Sequence, residues 1–350
     1  MQPIQTALAS FGMSGLVFHG PLLKANPGFL LNAILERSKN ASREVYPETR
    51  VFRDFEGLCQ DNEIELIIIN TPDHTHYDLA KTALLHGKHI VVEKPFTLRS
   101  DHADELTALA KEKDLVLSVF QNRRWDGDFL TVQQVINDGL LGRLVSYESH
   151  FDRYRNFIQP DTWKEDAGSG SGTMYNLGSH MLDQALVLFG KPEALFADIR
   201  AMRTGSRVDD SFDVWLHYDG VKVLVRGSYL VREPGPRYIL HGTEGSFLKW
   251  GIDPQEEALK AGQMPVGHHW GEEPEADWGM LHTTINRQDF RGKHPTINGN
   301  YNAYYDNVYA AVREGKPLAV TPEAATQVIR VIEAAMKSSK ENRVVSLSAL

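Results

Sequence analysis

The chain has 350 residues, 42% hydrophobic and 24% charged, which suits two globular domains and excludes a disordered chain. A formal net charge of −9 argues against a primary nucleic-acid binder, which carries a basic excess to neutralise phosphates. One cysteine, Cys59, rules out a disulfide-stapled scaffold and fits a reducing, cytoplasmic setting, and no apolar run approaches the roughly 18 residues that would span a membrane.

The first third alternates short apolar runs with helical stretches. Ile4–Ala9, Leu31–Leu35, Leu66–Asn70, His89–Val92 and Val116–Phe120 read as strands, and Tyr77–His86 and Ser100–Lys113 as helices. Runs apolar on both faces belong to strands covered by helices on both sides. The pattern predicts an α/β domain with a doubly wound parallel sheet over residues 1–122. At Asn122–Trp125 the rhythm changes. A helix at Phe129–Asp138, a strand at Arg143–Tyr154, a Gly/Ser stretch at Gly168–Gly172 and a helix at Thr173–Phe189 follow. Ala194–Trp250 reads as strands and hairpins, with turn signals at Asp219-Gly220, Pro234–Pro236 and Glu244-Gly245. Glu256–Trp278 reads as a polar loop with a short helix. Helices at Tyr301–Glu314 and Pro322–Lys340 and a short strand at Val344–Leu347 close the chain. Residues 123–350 are therefore expected to form an α+β domain around a large, mainly antiparallel open sheet.

Directly after the first strand stands Ser10-Phe11-Gly12-Met13-Ser14-Gly15. The dinucleotide-binding pattern of a Rossmann domain places glycines first, third and sixth. Here Gly12 and Gly15 fit and Ser10 replaces the first. A pyrophosphate would sit on the amides of Phe11 to Gly15 at the helix start, where unpaired N–H groups favour an anion. At the end of the second strand, Glu36 is placed to bind a ribose 2′-hydroxyl of NAD, whereas Arg37 and Ser38, with Lys39 and Arg43 close by, suit the 2′-phosphate of NADP. A carboxylate facing that phosphate would be repelled, so only one set points inward. The local basic patch of Arg37, Lys39 and Arg43 favours NADP(H) over NAD(H).

His89-Ile90-Val91-Val92-Glu93-Lys94-Pro95-Phe96 puts a charged pair at the carboxyl end of the fourth predicted strand, where doubly wound sheets bind ligands. Lys94 there suits proton or hydrogen-bond chemistry. In Thr173–Phe189, Asn176, His180 and Asp183 are spaced four and three residues apart and share one face of an α-helix. His180 suits a general base, since imidazole titrates near neutrality. A solvated polar stripe is the alternative. Histidine pairs at His74/His76 and His268-His269 lack a supporting cluster, so no metal is expected.

Five segments together resemble the Gfo/Idh/MocA oxidoreductases: FGMSG, NTPDHTHYDLA, HIVVEKPF, VFQNRRWDGDFL and YNLGSHMLDQALVLFG. HFDRYR, HGTEGSFLKWGIDPQEEALKAG, NGNYNAYY and VIEAAMKSSKENR are similar to the branch holding NADP-dependent scyllo-inositol dehydrogenases and related sugar or polyol oxidoreductases. The resemblance implies a Rossmann domain, then an α/β domain whose open sheet joins subunits into a homodimer or homotetramer. It places Lys94, with Glu93 beside it, next to the nicotinamide and the reacting oxygen. It puts Thr71, Pro72, His74 and His76 along the cofactor, and Asn122 and Trp163 near the nicotinamide end. It implies a small polyol or sugar substrate held by Lys94, Tyr154, Asn176, His180 and Asp183, with no membrane or nucleic-acid partner. Family members carry Asp where this chain has Asn176, so charge support for His180 is expected to weaken. An NAD-linked sugar dehydrogenase and a catalytically silent nucleotide-binding regulator remain the rival readings.

Overall fold

The computed structural model describes residues 2–160, 162, 165–166 and 170–347. Packing separates the chain into two compact units. The first comprises residues 1–125, 255–270 and 300–326, and the second residues 126–254, 271–299 and 327–350.

In the first unit six strands form one sheet: β1 (Ile4–Leu8), β2 (Phe29–Leu35), β3 (Arg50–Phe52), β4 (Leu66–Ile69), β5 (His89–Val92) and β6 (Leu117–Val119). Their spatial order is β3-β2-β1-β4-β5-β6, and every neighbouring pair is parallel. This is the doubly wound dinucleotide-binding order, with the direction of winding reversing between β1 and β4. Leu66, Ile67, Ile68 and Ile69 are all fully buried, as a central parallel strand covered on both faces requires. β3 has no apolar run to announce it. Arg-Val-Phe at a sheet edge is short, half-buried and led by a charged residue.

The second unit is built on a nine-stranded sheet. Its strands are β7 (Leu144–Asp152), β8 (Ala194–Arg200), β9 (Ser211–Tyr218), β10 (Val221–Ser228), β11 (Tyr238–Gly242), β12 (Gly245–Lys249), β13 (Gly279–Ile285), β14 (Gln288–His294) and β15 (Val345–Ser346). The order is β14-β13-β12-β11-β7-β10-β9-β8-β15, and only β7 and β10 pair in parallel. Tyr147, Ser149 and Phe151 of β7 are buried, while Glu148, His150 and Asp152 alternate onto the other face. The buried face carries the helix Ser179–Phe189, with Tyr147 edge-on to Phe189 at 5.3 Å and the Tyr238 hydroxyl donating to Gln184 Oε1 at 2.8 Å.

The β13–β14 hairpin carries no turn signal in the sequence. Its turn, Asn286-Arg287, has both central residues at positive φ, +53° and +65°. That is the backbone of a tight hairpin turn, which sequence usually advertises with Asn-Gly or Asp-Gly. Arginine in the second place hides it. No helix among the described residues is long and apolar enough to cross a membrane.

Candidate active site

After β1 the chain turns through Ser10–Ser14 into a segment of π-helical hydrogen bonding, Gly15–His19, which continues as the α-helix Gly20–Ala25. Ser10, standing where a first glycine would be, accepts the Gly12 amide on Oγ at 3.2 Å, and its carbonyl takes a 2.8 Å bond from Asn70 Nδ2. Side-chain hydrogen bonds thus close the turn without a glycine. The two glycines present differ in kind. A Cβ on Gly15 would lie 2.7 Å from the Ser10 carbonyl oxygen and 2.9 Å from Asn70 Nδ2, so packing within the chain demands glycine there. A Cβ on Gly12 would meet nothing closer than Ser10 Oγ at 3.6 Å. Packing within the chain does not demand glycine at position 12, where a Cβ would make only an ordinary contact. Gly12 and Met13 are exposed and Phe11 and Ser14 half-buried, with the Gly12 amide already given to Ser10 Oγ.

The loop after β2 settles where Glu36 points. Its Oε1 accepts the Ala41 amide at 3.0 Å, and its Oε2 accepts the Ser42 amide at 3.0 Å together with the Ser42 hydroxyl. The carboxylate is buried and consumed by its own loop. Arg37, Ser38 and Lys39 are exposed. Arg53 braces the loop from beneath, donating to the carbonyls of Glu36 at 2.7 Å and Lys39 at 2.6 Å and to Asn40 Oδ1.

At the end of β4, Thr71 Oγ1 meets Thr75 Oγ1 at 2.7 Å and Pro72 is half-buried. His74 is exposed. His76 is only 1% exposed, with Nε2 3.0 Å from the Thr71 carbonyl and Nδ1 2.9 Å from that of Pro95. The ring therefore ties the loop after β4 to the segment carrying Lys94. Glu93 and Lys94 follow β5 directly, and the Lys94–Pro95 bond is cis. The Lys94 amide donates to Glu93 Oε2 at 3.0 Å, and Glu93 Oε1 faces His19 Nε2 at 3.0 Å. Burial works to raise the Glu93 carboxyl; the His19 hydrogen bond, with the charges of His19, Lys94 and His76, overcomes it and holds the group below the ordinary carboxylate range. Asn122 is buried at the start of the turn Asn122–Trp125.

In the second unit, Thr173 leads into a π-helical segment, Met174–Gly178, which becomes the α-helix Ser179–Phe189. Asp209 caps its start: Oδ2 accepts the Met174 amide at 2.7 Å and the Thr173 hydroxyl at 2.9 Å. Burial raises the Asp209 carboxyl, with those hydrogen bonds pulling the other way. Gly172, at φ +105°, admits this cap, since a Cβ there would overlap Asp209 Oδ1. Asn176 falls in the π segment while His180 and Asp183 fall in the α-helix, so the uniform α-helix read over Thr173–Phe189 is corrected there. His180 is 6% exposed and Asp183 buried, so the solvated-stripe reading is ruled out. Tyr154 is 45% exposed with Arg232 over its ring at 4.3 Å. Trp163 lies outside the described residues. Arg203 anchors the neighbouring chain, donating to the Phe157 carbonyl at 2.6 Å and to both Glu165 oxygens while pairing with Asp210.

Two participants escape sequence reading. His19 reaches Glu93 across 74 residues of chain, and Asp209 reaches Met174 across 35. Neither has a motif of its own; an isolated histidine four positions past a glycine turn is the only trace of the first.

Comparison with known proteins extends these observations. The family profile described as "Oxidoreductase family, NAD-binding Rossmann fold" matches residues 4–121, and "Oxidoreductase family, C-terminal alpha/beta domain" matches residues 133–347. The chain is 40% identical over 345 residues, 98% of itself and 96% of the relative, to scyllo-inositol 2-dehydrogenase (NADP(+)) IolW of Bacillus subtilis. Among solved structures, a Bacteroides fragilis protein is 51% identical with TM-score 0.92, covering 99% of this chain and 100% of that one. An oxidoreductase from Bacillus cereus is 36% identical with TM-score 0.90, covering 99% of both chains.

Proposed function

The chain belongs to the Gfo/Idh/MocA oxidoreductase family, and from that premise we propose an NADP-dependent dehydrogenase of a cyclic polyol or sugar, scyllo-inositol-like in its hydroxyl pattern. Membership makes it a nicotinamide-linked dehydrogenase acting on CH–OH groups. The position of Glu36 carries the cofactor preference: the carboxylate that would bind the ribose 2′-hydroxyl of NAD is turned into its own loop, while Arg37 and Ser38 face solvent. The similarity to the Bacillus subtilis enzyme supports the substrate class.

A bound nicotinamide supplies the hydride acceptor or donor. The chain's own residues do the rest. His180 takes the proton of a secondary hydroxyl, and Lys94 donates a hydrogen bond to the same oxygen, stabilising negative charge as it develops. Asn176, Asp183 and Tyr154 hold neighbouring hydroxyls. Several such contacts reject an analogue lacking one hydroxyl by about 10⁴-fold, because the site's polar groups would then be left unpaired. The turn Phe11–Gly15 takes the pyrophosphate. Thr71, Pro72 and His74 line the cofactor, and His76 shapes that loop from beneath. Asn122 and Trp163 complete the nicotinamide end. The same reading has the protein act in the cytoplasm as a homodimer or homotetramer joined through the open sheet face.

The decisive experiment is a panel of inositols and aldoses with NADP⁺, followed by absorbance of the reduced cofactor. Reduction with scyllo-inositol or a close isomer is expected. Turnover confined to NAD⁺, or none with tight NADPH binding retained, would favour a rival reading.

A further inference from the structure

His19 is fully buried on the helix that follows the dinucleotide turn. Its Nδ1 lies 2.6 Å from the Tyr305 hydroxyl and its Nε2 3.0 Å from Glu93 Oε1. Phe120 covers one face, ring centroids 4.4 Å apart. A carboxylate only accepts, so Nε2 carries the hydrogen given to Glu93. Nδ1 shares a hydrogen with the Tyr305 hydroxyl, which burial keeps protonated. The other Glu93 oxygen receives the Lys94 amide at 3.0 Å. A single line of hydrogen bonds therefore runs from the Tyr305 hydroxyl through His19 and Glu93 to the backbone of Lys94. The Glu93 side chain is only 13% exposed, so without His19 water could not easily replace the missing donor.

We propose that His19 is a positioning residue for Lys94: it fixes the Glu93 carboxylate, and the carboxylate fixes the Lys94 backbone from which the reacting amine projects. This rests on the role proposed for Lys94. His76 holds the other flank through the Pro95 carbonyl, so both neighbours of Lys94 are pinned by a buried histidine while Lys94 itself remains half-buried. His19 also sits on the helix that starts at Gly15, so the element that takes the pyrophosphate is hydrogen-bonded to the element that carries Lys94.

The test uses the whole chain saturated with NADP⁺, reading hydrogen exchange at the Lys94 amide beside steady-state oxidation of scyllo-inositol. His19→Phe keeps the ring and removes both nitrogens; His19→Gln restores a donor toward Glu93; Tyr305→Phe removes one hydroxyl and spares the fold if His19→Phe does not. Exchange at Lys94 should quicken at least about tenfold in His19→Phe, less in Tyr305→Phe, and return toward wild type in His19→Gln. kcat should fall by about 10²-fold in His19→Phe with KM near wild type, since a misplaced group costs rate rather than binding. Unchanged Lys94 exchange in His19→Phe and Tyr305→Phe overturns the proposal, as does a fall in kcat that His19→Gln fails to recover. Wild-type turnover in Lys94→Ala overturns the reading of Lys94 itself, and the positioning role with it, even where the exchange results stand.

Discussion

Glu36 Oε2 accepts the backbone amide of Ser42 at 3.0 Å, and the proposed preference for NADP(H) rests on that bond. A carboxylate already accepting three hydrogen bonds from its own loop has less capacity left for a ribose hydroxyl.

Fluorescence titration should therefore show NADPH binding more tightly than NADH. Arg37→Ala should weaken NADPH by about tenfold or more, the scale of a charge-assisted hydrogen bond, and leave NADH nearly unchanged. Glu36→Gln should lower the melting temperature, because it weakens the loop's own cap, without impairing NADH binding. Tighter NADH in the wild type would reverse the assignment.

Asn176 is the position where charge near His180 can be changed by one atom. Asn176→Asp should raise the apparent pKa of the group that must be deprotonated for oxidation, since a neighbouring carboxylate favours imidazolium. The rising limb of the kcat–pH profile then moves to higher pH. A profile that stays in place would separate His180 from residue 176.

Glu93 makes a prediction about acid stability. Its folded pKa lies below the ordinary glutamate value, so between the two values the unfolded chain binds more protons and stability rises with pH. The contribution is present above the ordinary range near 4.5 and is lost as pH falls through the folded value. Urea midpoints measured from pH 6 down to about 3 should fall more steeply for wild type than for Glu93→Gln. Equal slopes would mean the His19 bond is not made in solution.

Gly172→Ala tests the cap on the second-unit helix. At φ +105° alanine is strained, and its Cβ would displace Asp209 from the Met174 amide. We expect destabilisation of more than about 1 kcal/mol and a fall in kcat, as the segment bearing Asn176 loses its start. A melting temperature within error of wild type would show that the loop adapts around the methyl group.

Much of the first unit is legible in sequence because buried parallel strands write themselves as apolar runs: LIII and HIVV can be read with no partner in view. The glycine turn and the Glu-Lys pair are legible for the same local reason. What escapes depends on distant or unusual backbone. The edge strand β3 has too little apolar content, and the β13–β14 turn uses Asn-Arg where Asn-Gly is the common signal. Two π segments shift the phase of helices that periodicity treats as uniform. His19 and Asp209 act through partners far along the chain, which no spacing rule joins. Sequence raises the choice between Glu36 and Arg37, but the direction of the carboxylate depends on the amides of Ala41 and Ser42.

Arg53 gathers two carbonyls and an amide oxygen of the loop after β2, none of them on Arg37 or Ser38. The shape of that loop is thus maintained separately from the chemistry it displays. On the proposed reading, the two exposed side chains that would meet the 2′-phosphate can be swapped, by an engineer or by evolution, while the scaffold beneath them stays as it is.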